Sequence, residues 1–143
     1  EFRLPTLPTP AAFVYSPRMI HLLIVMIGGG IGAGVRHLAN LGALRAFGPG
    51  FPVGTMLVNI AGSLAMGVFI ELLMRRFGSS NELRLFIATG ILGGVTTFSA
   101  FSLDFATLWQ RGDTLPALGY AAGSVILSIF ALFAGLMLGR AFG

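Results

Sequence analysis

No cysteine occurs in the chain, which excludes a disulfide framework, a thiolate metal site and a cysteine nucleophile. Lysine is missing too. All nine basic residues are arginine, and they are scattered rather than gathered into the stripe that nucleic-acid binding requires. Charge of either sign is scarce: 10% of the 143 residues are charged, against roughly 25% in an ordinary globular chain, while 55% are hydrophobic. A water-soluble surface cannot be built from that composition. Uncharged runs close to 20 residues long match the stretch of about 20 apolar residues that crosses the hydrocarbon of a bilayer. No N-terminal segment joins a basic stretch to a short apolar core and a small-residue cleavage site, so the first span is expected to direct insertion itself.

Residues 1–18 hold four of the seven prolines, Pro5, Pro8, Pro10 and Pro17, and lack periodicity, which suits an extended or disordered lead-in. Met19 reads as a native start, and what precedes it as an upstream extension or an expression remnant. Residues 19–143 form a single domain with four membrane helices expected at about 20–47, 51–76, 84–110 and 114–140. The first has an uncharged core of only 14 residues, Leu22 to Val35, before Arg36 and His37. The second is uncharged over 20 residues from Phe51 to Ile70, and the fourth over 26 from Thr114 to Gly139. The third, Leu85 to Leu103, is uncharged over 19 residues but carries Gly90, Gly93 and Gly94 followed by Val95, Thr96 and Thr97, and is expected to break there. Four spans put both termini on one side with Arg75, Arg76, Arg84 and Arg140, against Arg45 and Arg111 opposite. Four against two is a weak orientation signal.

Gly28 to Ala33 satisfies a G-x-G-x-x-A pattern, but no βαβ unit surrounds it, and the next acidic residue, Glu71, lies 43 positions from Gly28. A dinucleotide site needs one about 20 on. Gly28 with Gly32, and Gly30 with Gly34, fit small-xxx-small helix packing instead. Thr55, Asn59 and Ser63 recur at i, i+4 and i+8, and Tyr120, Ser124 and Ser128 repeat that spacing, giving two polar stripes on otherwise apolar helices. One such residue alone reads as an interhelical hydrogen bond worth roughly 0.6 kcal/mol; two stripes read as a polar path. Asn59 is the most informative, since its amide brings two donors to an anion. Unwinding after Gly93 would free backbone carbonyls for a cation. Phe98 and Phe101, three residues apart, have positive ring edges, and with Ser99 and Ser102 beside them they can replace water around a small anion without formal charge. Arg36 reads equally as a side chain snorkelling to the interface or as a charge at a pore mouth. Asp104 lines a vestibule or marks the interface, and Glu71 reads as an interfacial end residue. His21 and His37 lack a second ligand at metal-binding spacing. No nucleophile is paired with a base, so an enzyme is not expected.

These residues resemble the Fluc (CrcB-type) family of bacterial fluoride channels over nearly the whole chain. The likeness rests on GGGIGAGVR (Gly28 to Arg36), GTMLVN (Gly54 to Asn59) and GGVTTFSAFS (Gly93 to Ser102). It implies an all-α integral membrane protein of four transmembrane helices per subunit, the third broken, assembled as an antiparallel dual-topology homodimer with two fluoride pores in the bacterial inner membrane. It also implies a structural sodium ion on the twofold axis, held by main-chain oxygens at Gly93 and Thr96, and no organic cofactor. The pore positions it implies are Asn59, Phe98 and Phe101, with Thr97 and Ser99 beside them, and the polar track Tyr120, Ser124 and Ser128; Arg36 and Asp104 fall to the vestibules. The chain departs from the family pattern at Ala100, where a hydroxyl is expected, and at Asp104, where many members carry Glu. The physical reading agrees in one respect: a 15.0 kDa four-helix subunit shields an ion path poorly from lipid, so self-association is expected. The implied function is passive, fluoride-selective export. The alternative is a small dual-topology proton-coupled exporter of organic cations, which needs a carboxylate at the bilayer centre; a structural membrane subunit without transport is a third reading.

Overall fold

The structure, a computed structural model, describes residues 17–76, 78 and 80–142. Among them are α1 (Pro17–Phe47), α2 (Val53–Arg76), α3 (Asn81–Leu83), a π-helix (Arg84–Leu92), α4 (Gly93–Val95), α5 (Phe98–Gln110) and α6 (Thr114–Phe142). Together they make four segments long and apolar enough to cross a membrane, Arg18–Phe47, Val53–Arg76, Asn81–Gln110 and Thr114–Phe142.

Boundaries follow local chemistry. Pro17 opens α1, where a residue without an N–H costs no hydrogen bond. Helix therefore begins inside the expected lead-in, the rest of which, residues 1–16, lies outside the described residues. Gly48 closes α1 at a φ of 75°, and its N–H returns to the Leu44 carbonyl at 2.9 Å. The second helix starts at Val53 rather than at 51, because Pro52 stands outside it and lends its carbonyl to the Met56 N–H at 3.3 Å. The third segment starts at Asn81, three residues before the expected 84, where the Ser80 hydroxyl accepts the Leu83 N–H. Gly112, at a φ of 84°, turns α5 into α6.

Glycines decide which helices meet. A Cβ on Gly28 would come within 3.0 Å of the Gly90 Cα, and one on Gly94 within 2.6 Å of the Gly29 carbonyl oxygen, so α1 crosses the π-helix and α4 backbone to backbone. A Cβ on Gly135 would likewise lie 3.1 Å from the Gly67 Cα, which sets α6 directly against α2. Both pairs run parallel, since Gly28 and Gly32 meet Gly90 and Gly94 in order, and Gly67 and Glu71 meet Gly135 and Gly139. Gly30 and Gly34 have nothing near them and face outward, so of the two glycine pairs only Gly28 with Gly32 packs within the chain.

A small aromatic core holds α5 to α6. Leu108, Ala117 and Tyr120 are buried there against Met56, Phe101 and Phe105. Most large apolar side chains lie outside it, from Leu23 and Ile31 on α1 to Phe130 and Met137 on α6. That distribution suits a solvent of acyl chains or of a neighbouring protein, not water.

Candidate functional site

Gly93 and Gly94 are helical, and the extended residues come after them. Thr96 has φ −79° and ψ 153°, and Thr97 has φ −156° and ψ 129°. Two such residues leave backbone groups without helical partners. Asn59 on α2 takes one pair: its Oδ1 accepts the Thr97 N–H at 2.8 Å while its Nδ2 donates to the Thr97 carbonyl at 3.0 Å. A flipped amide would set N–H against N–H and oxygen against oxygen, so the network fixes its orientation. The Thr97 hydroxyl then accepts the Ala100 N–H at 3.2 Å and caps α5.

Both diversions free a carbonyl. In an unbroken helix the Thr97 N–H would bond to Gly93 O, and the Ala100 N–H to Thr96 O. The first is occupied by Asn59 and the second by a side-chain cap, so these main-chain oxygens lack their helical donors. Gly93 is also exposed on the surface of the chain. Carbonyl oxygens of this kind are the donor set that a hard monovalent cation accepts. Among the described residues no group of three or more His, Asp or Glu side chains could hold a metal ion.

Beside this turn lies an open groove of about 480 Å³, lined by Asn59, Ser63, Thr96, Thr97, Phe98, Phe101, Ser124 and Ser128 together with aliphatic side chains. It carries no formal charge. The Ser124 and Ser128 hydroxyl oxygens are buried with no hydrogen-bond partner, and Ser124 is 3% exposed. Orphaned hydroxyls are costly where nothing binds them. Phe98 and Phe101 pack at a centroid distance of 5.3 Å; Phe101 is half-buried and Phe98 is 75% exposed.

Residues 23–136 match the family described as CrcB-like protein, Camphor Resistance (CrcB). The chain belongs to that family. A CrcB relative from Mesorhizobium japonicum, called fluoride-specific ion channel FluC, is 69% identical over 122 residues, covering 85% of this chain and 98% of the relative. A protein of the same name from Chelativorans sp. is 58% identical with the same coverage. One from Nitrobacter hamburgensis, fluoride-specific ion channel FluC 2, is 51% identical over 121 residues, covering 85% of this chain and 98% of the relative. CrcB proteins are ion channels rather than enzymes, and this CrcB chain is a multi-pass membrane protein.

Not every residue singled out in the CrcB sequence reaches the groove. Tyr120 is wholly buried, its ring tilted against Phe101 at 5.3 Å and edge-on to Phe51 at 5.7 Å, with its hydroxyl on the Asp104 carboxylate at 3.2 Å. The stripe of the last helix therefore divides, two serines entering the groove and the tyrosine entering the core. Ser99 is exposed, 3.1 Å from the Thr97 hydroxyl, and is absent from the groove lining. Asn59 has one free N–H rather than two, because the other serves Thr97. Arg36 is half-buried, makes no hydrogen bond or ion pair among the described residues, and lines neither this groove nor its neighbour. Ala100 is absent from the groove lining, so its missing hydroxyl takes no donor from there.

A second cavity, about 290 Å³, opens at the turn between α1 and α2, where Asp104 meets Asn40, Thr55, Thr107 and Arg111. Asn40 was not among the expected site residues, although its Oδ1 is buried there without a partner. Its position one turn after Arg36 was the available signal. Glu71 is held by Arg75 at 2.8 Å and by Arg140 at 3.4 Å.

Proposed function

We propose that this chain is a passive, fluoride-selective channel that releases cytoplasmic fluoride across the bacterial inner membrane. The observation that carries the reading is the uncharged groove, where a free Asn59 N–H and two unpartnered serine hydroxyls stand beside two phenyl rings. A bare ion in a low-dielectric interior costs tens of kcal/mol by Born arguments. Neutral donors offset that cost while leaving the path weak enough to release the ion. The names of the relatives supply the ion.

The working unit in this proposal is an antiparallel homodimer. The groove is open along one side and Phe98 stands largely exposed, so one copy leaves the path to lipid; a second copy closes it. Antiparallel pairing brings the interrupted third segments together, and the free carbonyls of Gly93 and Thr96 from both copies then hold one structural sodium ion. Arg36 and the Asp104 cavity flank the groove as vestibules, and Tyr120 supports the path from behind through Phe101 and Asp104. The exporter alternative has less support: Glu71 is neutralised by two arginines, and Asp104 is tied to Tyr120.

The test is efflux from liposomes holding purified protein, followed with fluoride and chloride electrodes. Fluoride is expected to leave and chloride to stay. Comparable chloride efflux overturns the selectivity, and release of neither ion overturns the channel.

A further inference from the structure

We infer that Asn59 is a positioning residue for the main-chain oxygens of Gly93 and Thr96, because its carboxamide holds Thr97 extended and so keeps those carbonyls out of helical bonding. The inference rests on the proposed cation site and adds a second role to a side chain placed in the ion path.

The Thr97 N–H has two acceptors within its conformational reach: Gly93 O, four residues back, if the helix continues, and Asn59 Oδ1 if it does not. The structure holds the second arrangement, at 2.8 Å. An extended residue at membrane depth survives only if both its backbone groups are satisfied. Asn59 satisfies both, donating to the Thr97 carbonyl at 3.0 Å. Its access depends on Gly62, one turn further along α2, where a Cβ would run into the Thr96 side chain. The Ala100 N–H completes the effect: Thr97 in extended form presents its hydroxyl to that donor, and Thr96 O loses it. One side chain on α2 thus sets two oxygens on the third segment.

Leucine at 59 has nearly the shape of asparagine and none of its hydrogen bonds. Without the clamp, the Thr97 N–H returns to Gly93 O and the cation loses a ligand. Asn59→Asp separates the two roles. Its carboxyl oxygen still accepts the Thr97 N–H, and it has no amide N–H left for an anion.

The experiment measures Tm of the purified full chain in detergent at pH 5 against sodium concentration, with N-methylglucamine replacing sodium. The original chain is expected to gain stability with sodium. Asn59→Leu should move the sodium midpoint up by about tenfold or more, the equivalent of one lost hydrogen bond. Asn59→Asp should keep the original midpoint at pH 5 and yet lose fluoride efflux in liposomes. The inference is overturned if Asn59→Leu keeps the midpoint, or if sodium leaves the original chain's Tm unchanged. Should the leucine variant not fold, a tenfold midpoint shift in Asn59→Asp overturns it instead. Fluoride efflux by the original chain judges the channel reading separately.

Discussion

Buried hydroxyls without partners set function against stability at single residues. A buried donor left unsatisfied costs about 1–3 kcal/mol, and a hydrogen bond to a charged group returns about 1.5–3 kcal/mol when the ion arrives. Ser124 and Ser128 are in that position. If they served only to pack α6, alanine would weaken the fold. If they serve an ion instead, they make the empty protein less stable than it needs to be. Ser124→Ala and Ser128→Ala are therefore expected to leave Tm equal or raised while lowering fluoride efflux about tenfold each. A lowered Tm with full efflux would assign them to packing. The spacing at 59, 63, 124 and 128 was readable in the sequence, because a polar residue on an apolar helix stands out one turn at a time. Tyr120 shared that spacing and still went elsewhere. Its ring is large enough to join the Phe101, Phe105 and Leu108 core, and the partner for its hydroxyl, Asp104, lies 16 residues away on another helix, which periodicity does not reveal.

Glycine carries the packing of whole helices here, and its positions predict which substitutions are tolerated. A side chain at Gly135 would strike the backbone of α2 at Leu64, and backbone has no rotamer with which to yield. Gly135→Leu is expected to cost more than the 1–3 kcal/mol or so of ordinary overpacking and to leave little folded protein in detergent. Gly30→Ala should be stabilising by up to about 1 kcal/mol in a chain whose α1 is open at that point. Thermal melts of the two variants check both, and a Gly30→Ala variant that melts early would show that face to be covered by another copy. The four spans were legible because length and the absence of charge mark a membrane helix directly. The interior of the third was not. A π-helix has the same apolar composition as an α-helix, and a segment apolar on every face has no phase by which to tell them apart. Gly93 and Gly94 marked the irregular region, yet they remain helical; the extended residues are the two threonines, which have side-chain partners to hold them.

Orientation belongs to the whole molecule. The end where α1 begins and α6 finishes carries Arg18, Arg75, Arg76, Arg84 and Arg140, and the opposite end Arg45 and Arg111, with Arg36 between them on α1. Arg75 and Arg140 are each drawn to Glu71, which weakens their contrast with the far end without entering the positive-inside count. The proposed antiparallel pair requires a chain that inserts both ways, which so weak a bias permits. The absence of cysteine makes this measurable without background. Thr114→Cys places one thiol at an exposed position in the turn into α6. In intact cells, an impermeant maleimide is expected to label about half the copies if the two orientations are equally populated. Three lysines appended after the C-terminus should then fix one orientation and drive labelling toward all or none. If the functional unit needs opposed copies, that locked chain loses fluoride efflux, and co-expression with a chain locked the other way by lysines beside Arg111 restores it. Full efflux from a population in one orientation would mean that the groove is closed by something other than an inverted copy.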